Sequence, residues 1–103
     1  MITETVYLGS DNVNSIELRA NGTAQAINSC TRMRLKIGDK TIDSSLITGV
    51  FDWTTNGASG QLDLTLGFQD LRKGLQRGTL VIYDATYPRG LVWGDLMFNV
   101  KEV

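Results

Sequence analysis

The sequence predicts an all-β fold: two packed β-sheets forming a sandwich, with little or no helix. Apolar residues recur at every second position, the period of a strand with one buried face, and not at the spacing of an amphipathic helix. Each apolar run is short and is closed by Gly, Asn, Asp or Pro, the residues that make tight turns. With 103 residues, 42% of them hydrophobic, residues 1–103 read as one domain with its own core, too short for two.

The elements follow in order. Val6-Tyr7-Leu8 is expected as a short edge strand, and Ser15–Arg19 as a short alternating one. Asn21-Gly22 is a strong hairpin signal, because a two-residue loop of this kind puts both residues at positive φ. Thr31–Ile37 alternates most clearly: Met33, Leu35 and Ile37 point inward, and Arg32, Arg34 and Lys36 form a wet basic face. Gly38-Asp39 turns the chain into Lys40–Asp43. Val50–Thr54 is rich in β-formers, and Asn56–Gly60 reads as a flexible connection. Gln61–Leu66 buries Leu62, Leu64 and Leu66. Gln69–Lys73 could form one helical turn before Gly74. Thr79–Asp84 is apolar on both faces, which suits a central strand covered on both sides or one whose second face meets a partner. Tyr87-Pro88-Arg89-Gly90 fits a type I turn, and Leu96–Val100 is the last strand. The predicted core is Met33, Leu35, Ile37, Leu62, Leu64, Leu66, Ile82 and Phe98.

Composition narrows the function. Net charge is −1, without the basic excess of most nucleic-acid or anionic-membrane binders, so neither partner is expected. No run approaches membrane-spanning length, and Met1–Thr5 lacks the features of a signal peptide. There is no histidine, the commonest metal ligand and the best proton shuttle near neutral pH. The single cysteine, Cys30, reads as a small buried hydrophobe. Asn21-Gly22-Thr23 matches a glycosylation sequon but reads as a turn.

Possible chemistry is outweighed by plainer readings. Asp39 with Asp43, and Asp52 with Asp63, are carboxylate pairs, but Asp43 and Asp63 fall on outward faces and a small sandwich has little cleft. Gly9–Asn14 departs from a calcium loop at Val13 and lacks the glycine at the sixth position. No catalytic residue, cofactor site or metal site is expected. Trp53 reads as core. Trp93, beside Gly94, is open between core and interface.

Three segments together carry a resemblance. They are Thr31–Ile37 with Thr41-Ile42-Asp43-Ser44, then Gly60–Gly67, then Tyr83-Asp84 through Pro88-Arg89-Gly90-Leu91-Val92-Trp93-Gly94. Together they resemble small structural proteins of tailed bacteriophages. They are similar to the N-terminal immunoglobulin-like domain of baseplate upper proteins and related tail or fibre attachment modules. The resemblance implies an immunoglobulin-like sandwich of two antiparallel sheets, no enzyme and no cofactor. It implies a virion protein made in the host bacterial cytoplasm, bound to other virion proteins as a homo-oligomer or symmetric multi-copy assembly. The leading reading is a tail, baseplate or head–tail adaptor or accessory; the chain ends soon after its last strand, which speaks against a host-receptor role and favours an adaptor, a head–tail accessory or a capsid decoration protein. A capsid decoration protein uses the same fold. A carbohydrate-binding module is the rival from another class, and a small hydrolase ranks lowest.

The expected attachment surface is Tyr87, Pro88, Arg89 and Trp93, joined by Val81 and Tyr83. Turn geometry needs Pro88 and Gly90, but nothing in it requires the flanking Tyr and Arg, and both types concentrate in binding hot spots. The basic ladder at Arg32 and Arg34 could meet an acidic partner, or could simply be solvated and protect an edge.

Overall fold

The computed structural model describes residues 2–103. It is all-β: ten strands and a single 3-10 turn account for the regular structure among the described residues. They are β1 (Ile2–Leu8), β2 (Val13–Glu17), β3 (Arg19–Ala20), β4 (Thr23–Ala24), β5 (Arg32–Ile37), β6 (Lys40–Asp43), β7 (Phe51–Asp52), β8 (Gln61–Thr65), β9 (Gly74–Tyr83) and β10 (Leu91–Glu102). A five-stranded sheet runs β1-β10-β9-β5-β6, a three-stranded sheet runs β2-β8-β7, and β3-β4 form a small ribbon.

Alternation explains the packing. Met33, Leu35 and Ile37 of β5, Leu80 and Ile82 of β9, and Leu96, Phe98 and Val100 of β10 are buried on one side of the large sheet. Ile16, Leu62 and Leu64 of the small sheet enter the same core cluster. All eight residues predicted for the core are buried. Connections add Leu18, Ile27, Val50, Leu66 and Leu71. Gly78 is buried in the middle of β9, where a Cβ would stand 2.5 Å from Cε2 of Phe98. The missing side chain is what lets that ring lie against the strand. At the edge, the Asn14 side chain of β2 donates to the Thr5 carbonyl of β1 at 2.9 Å and to Glu4 Oε1 at 3.3 Å, tying the sheets together.

Two turns form as their sequences require. Asn21 (φ 53°) and Gly22 (φ 77°) close the β3-β4 ribbon, and Gly38-Asp39 join the paired residues Ile37 and Lys40.

Several expectations are corrected. The sheets are not both antiparallel, because β1 runs parallel to β10, from Ile2 opposite Leu96 to Leu8 opposite Glu102. The edge strand is therefore longer than Val6–Leu8, and the last strand longer than Leu96–Val100. The Ser15–Arg19 run pairs instead as Val13–Glu17 with β8. Strand β7 stops at Asp52, whose carboxylate accepts the N–H groups of Thr54 and Thr55 at 3.1 Å each and so diverts the backbone into a turn. Trp53 thus lies beyond the strand, half-buried against the core. Asn56–Gly60 is built around the 3-10 turn Gly57–Ser59 rather than left loose. Gln69–Lys73 makes no helical turn, and Leu71 is instead drawn into the core.

Candidate functional site

The predicted attachment residues fall in two adjoining places. Val81, Tyr83, Arg32 and Arg34 share the large-sheet face turned away from the core, where Arg32 pairs with Tyr83 and Arg34 with Val81 in register. Tyr87, Pro88 and Arg89 are on the connection from β9 to β10, and Trp93 lies just past its end.

That connection is braced by two hydrogen bonds. The Tyr87 N–H donates to Asp84 Oδ1 at 2.7 Å, and the Gly90 N–H closes the turn on the Tyr87 carbonyl at 3.1 Å. Pro88 fixes the second turn position. Gly90, at φ 93°, is pressed onto β9: a Cβ there would stand 2.6 Å from Val81 Cγ1 and 2.7 Å from Tyr83 Cε1. Both the left-handed backbone and the close approach require glycine. The turn therefore folds back over the outer face, which explains why Val81 and Tyr83 are apolar on that side: Tyr83 is buried.

Trp93 is the extra residue in a register shift between Val92 and Gly94. A bulge re-aims its side chain, and Trp93 packs partly against the core and lines a recess of about 300 Å³ at this end of the molecule. Ile82, Asp84, Tyr87 and Leu91 line the same recess, and its opposite wall is Ala20, Gln25, Ala26, Ile27 and Cys30.

The opposite wall is held by one local and one long-range backbone bond and by a side-chain bond. The Gln25 N–H donates to the Leu18 carbonyl at 2.9 Å, and the Ile27 N–H to the Gly57 carbonyl at 2.8 Å. The Trp53 indole donates to the Cys30 carbonyl at 2.8 Å. Cys30 is half-buried rather than fully buried. Burial, and then the nearby Asp84 carboxylate, push its thiol pKa up, so it is held as a neutral thiol.

Asp43 lies on the outward face as expected, yet it is buried rather than solvated there. Arg32 donates to both its oxygens, from Nε at 2.9 and 3.1 Å and from its terminal nitrogen. Ser45 adds its N–H at 3.0 Å and its hydroxyl at 2.8 Å. The Arg32 guanidinium and these bonds hold the Asp43 carboxyl well below the usual carboxylate range. Arg32 also lies 4.6 Å from the Tyr83 ring centroid, a cation–π contact. It is thus half-buried and structurally committed, unlike a freely solvated ladder residue. Arg34 instead lines a second, shallow recess of about 490 Å³ with Lys36, Thr41, Thr79 and Val81.

Among the described residues, no group of three or more His, Cys, Asp or Glu is placed to hold a metal ion. The Asp52 carboxylate is occupied with Thr54 and Thr55, and Asp63 with Ser15 and Gln61. Among the described residues, no helix is long and apolar enough to cross a membrane. Chemically, the end recess offers an apolar lining with a few polar groups. The exposed Tyr87 and Val92 beside it add contact area.

The sequence pointed to the Tyr87 turn but not to the wall from Ala20 to Cys30. Its one local signal was the Asn21-Gly22 turn, which marks a ribbon without saying where it packs. No protein-family model matches this chain, and no curated protein does either.

Proposed function

We propose that this protein is a structural component of a tailed-phage particle, an immunoglobulin-like module that works by binding other virion proteins in many copies, without catalysis. The strand order supports the fold reading. β10-β9-β5-β6 against β2-β8-β7 follows the two sheets of a variable-type immunoglobulin domain, with β1 added at the edge. In such domains, the connections corresponding to β2–β5 and β9–β10 lie at one end and bind ligands.

The observation that carries the binding reading is the meeting of those two connections around the 300 Å³ recess. Its walls are fixed by backbone hydrogen bonds and by the Pro88 turn, so docking there costs little conformational entropy. Tyr87, exposed at 48%, stands at its rim. The phage assignment rests on the sequence resemblance.

The test is quantitative mass spectrometry of purified particles made with wild-type protein or with Tyr87→Ala combined with Arg89→Ala, the variant first shown to fold. The wild type should be present in many copies, and the variant should be depleted about tenfold or more. Wild-type occupancy of the variant would place the attachment surface elsewhere. Absence of the wild-type protein from particles would overturn the virion role.

A further inference from the structure

The outer faces of the two sheets carry opposite charge. On the large sheet, register places Arg32, Arg34 and Lys36 of β5 on the face away from the core, together with Thr41 and Asp43 of β6 and Arg77 and Thr79 of β9. Lys101 of β10 follows on the same alternation, and Asp95 holds the register position opposite Thr79. Arg32 is taken up by Asp43. Among the described residues, no carboxylate pairs with Arg34 or Lys36. Both line the 490 Å³ recess, whose other residues include Val81.

On the small sheet, Ser15 and Glu17 of β2, Asp63 of β8 and Asp52 of β7 share the opposite outer face. Asp52 and Asp63 are directly opposite each other in register, an arrangement that like charges disfavour. Neither has a cation within ion-pair distance among the described residues. Val13, exposed at 54%, adds apolar area on this side.

We propose that these faces bind each other between copies of the chain: the basic recess at Arg34 and Lys36 of one copy receives the acidic face at Asp63 and Asp52 of the next. A net charge of −1 means that whole copies scarcely repel. The molecule measures 38 × 29 × 23 Å. Its short axis suits two sheets about 10 Å apart with side chains on both outer faces, and its broad faces can supply the roughly 800 Å² per partner of a specific interface. Because the surfaces differ, the contact is head-to-tail and closes into a ring or extends as a row. This deepens the multi-copy reading above but uses different surfaces from the Tyr87 recess.

The test is sedimentation equilibrium with three proteins: wild type, Arg34→Glu with Lys36→Glu, and Glu17→Lys with Asp63→Lys. Asp52 is left intact because it holds the turn after β7, and circular dichroism checks that each variant folds. At low salt the wild-type mass should rise with concentration above 11.3 kDa, and added salt should weaken the association. Each variant alone should associate about tenfold or more weakly than wild type, and an equimolar mixture of the two should assemble again. Tyr87→Ala with Arg89→Ala should self-associate as wild type does, so failure of the recess reading is distinguishable. A wild type that stays monomeric to millimolar concentration overturns the proposal. So does unchanged assembly of either face variant, or a mixture that fails to assemble.

Discussion

Gly78→Ala tests how tightly the core is fitted. The new methyl would stand 2.5 Å from Cε2 and 2.9 Å from Cδ2 of Phe98, about 1 Å inside ordinary carbon–carbon contact. The ring has nowhere to go, since Phe98 is 0% exposed, and Leu96 Cβ closes the third side at 3.5 Å. Overpacking of this kind costs about 1–3 kcal/mol. Gly78 is not among the residues at positive φ, so alanine also restricts the unfolded chain, which returns about 0.4–1 kcal/mol. The net loss should lie between about 0 and 2.6 kcal/mol, centred on about 1.3, or a fall in Tm of roughly 5–10 °C at that centre for a domain this size. Urea melts should show a lower midpoint with unchanged slope. Phe98→Leu in the same chain removes the ring edge that clashes. The double variant should therefore be more stable than the sum of the singles by at least about 0.5 kcal/mol. Strict additivity, or a Tm at or above wild type, would refute the claim that the glycine makes room for the ring.

Leu64→Ala, at a fully buried position, should lower stability by about 2–5 kcal/mol in urea melts; a loss below about 1 kcal/mol would contradict its burial in the shared core. Asp43 has a folded pKa below its unfolded value, so the unfolded chain takes up the proton first. Its contribution is complete above the ordinary carboxylate value near 4 and is lost as pH falls below it. Asp43→Asn should flatten the decline of the urea midpoint between about pH 5 and pH 2, and a decline as steep as wild type would sink that assignment. The Cys30 thiol should react with a disulfide reagent at mildly alkaline pH more slowly than free cysteine, and Asp84→Asn should speed it up without removing the effect of burial. Equal rates for the protein and the free amino acid would show that Cys30 is not shielded.

What could be read from the sequence was local. The alternation in β5 and β8 states directly which face is buried, and Asn21-Gly22 and Gly38-Asp39 encode their own turns through backbone preference. What could not be read depends on residues far apart. Alternation puts Asp43 outward, and in register it does point that way. Yet its partner is Arg32, two positions from the residue directly opposite, and that diagonal exists only once β5 and β6 are aligned. The start of β1 was obscured because Glu4 sits on its inner side opposite Phe98, a position made tolerable by Asn14 from another sheet. Strand β7 was overestimated because a side chain, Asp52, competes with the ladder for the next N–H groups. The candidate recess was half legible for the same reason. The Tyr87 turn is a contiguous motif, while the facing wall is held by bonds that join residues 18–27 to residues 57–60.

The parallel pairing of β1 with β10 also sets a schedule for the newborn chain. Ile2 meets Leu96, so β1 is made well before the strand it pairs with. At bacterial-to-eukaryotic elongation rates that wait is roughly 5–20 s, during which β1 has a free hydrogen-bonding edge on both sides. Its sequence is suited to waiting: Thr3, Glu4 and Thr5 interrupt the apolar residues and place a charge in the segment, which discourages pairing with other nascent chains. The closing contact of the large sheet is therefore also its most non-local one, and that sheet is completed only once β10 has been made.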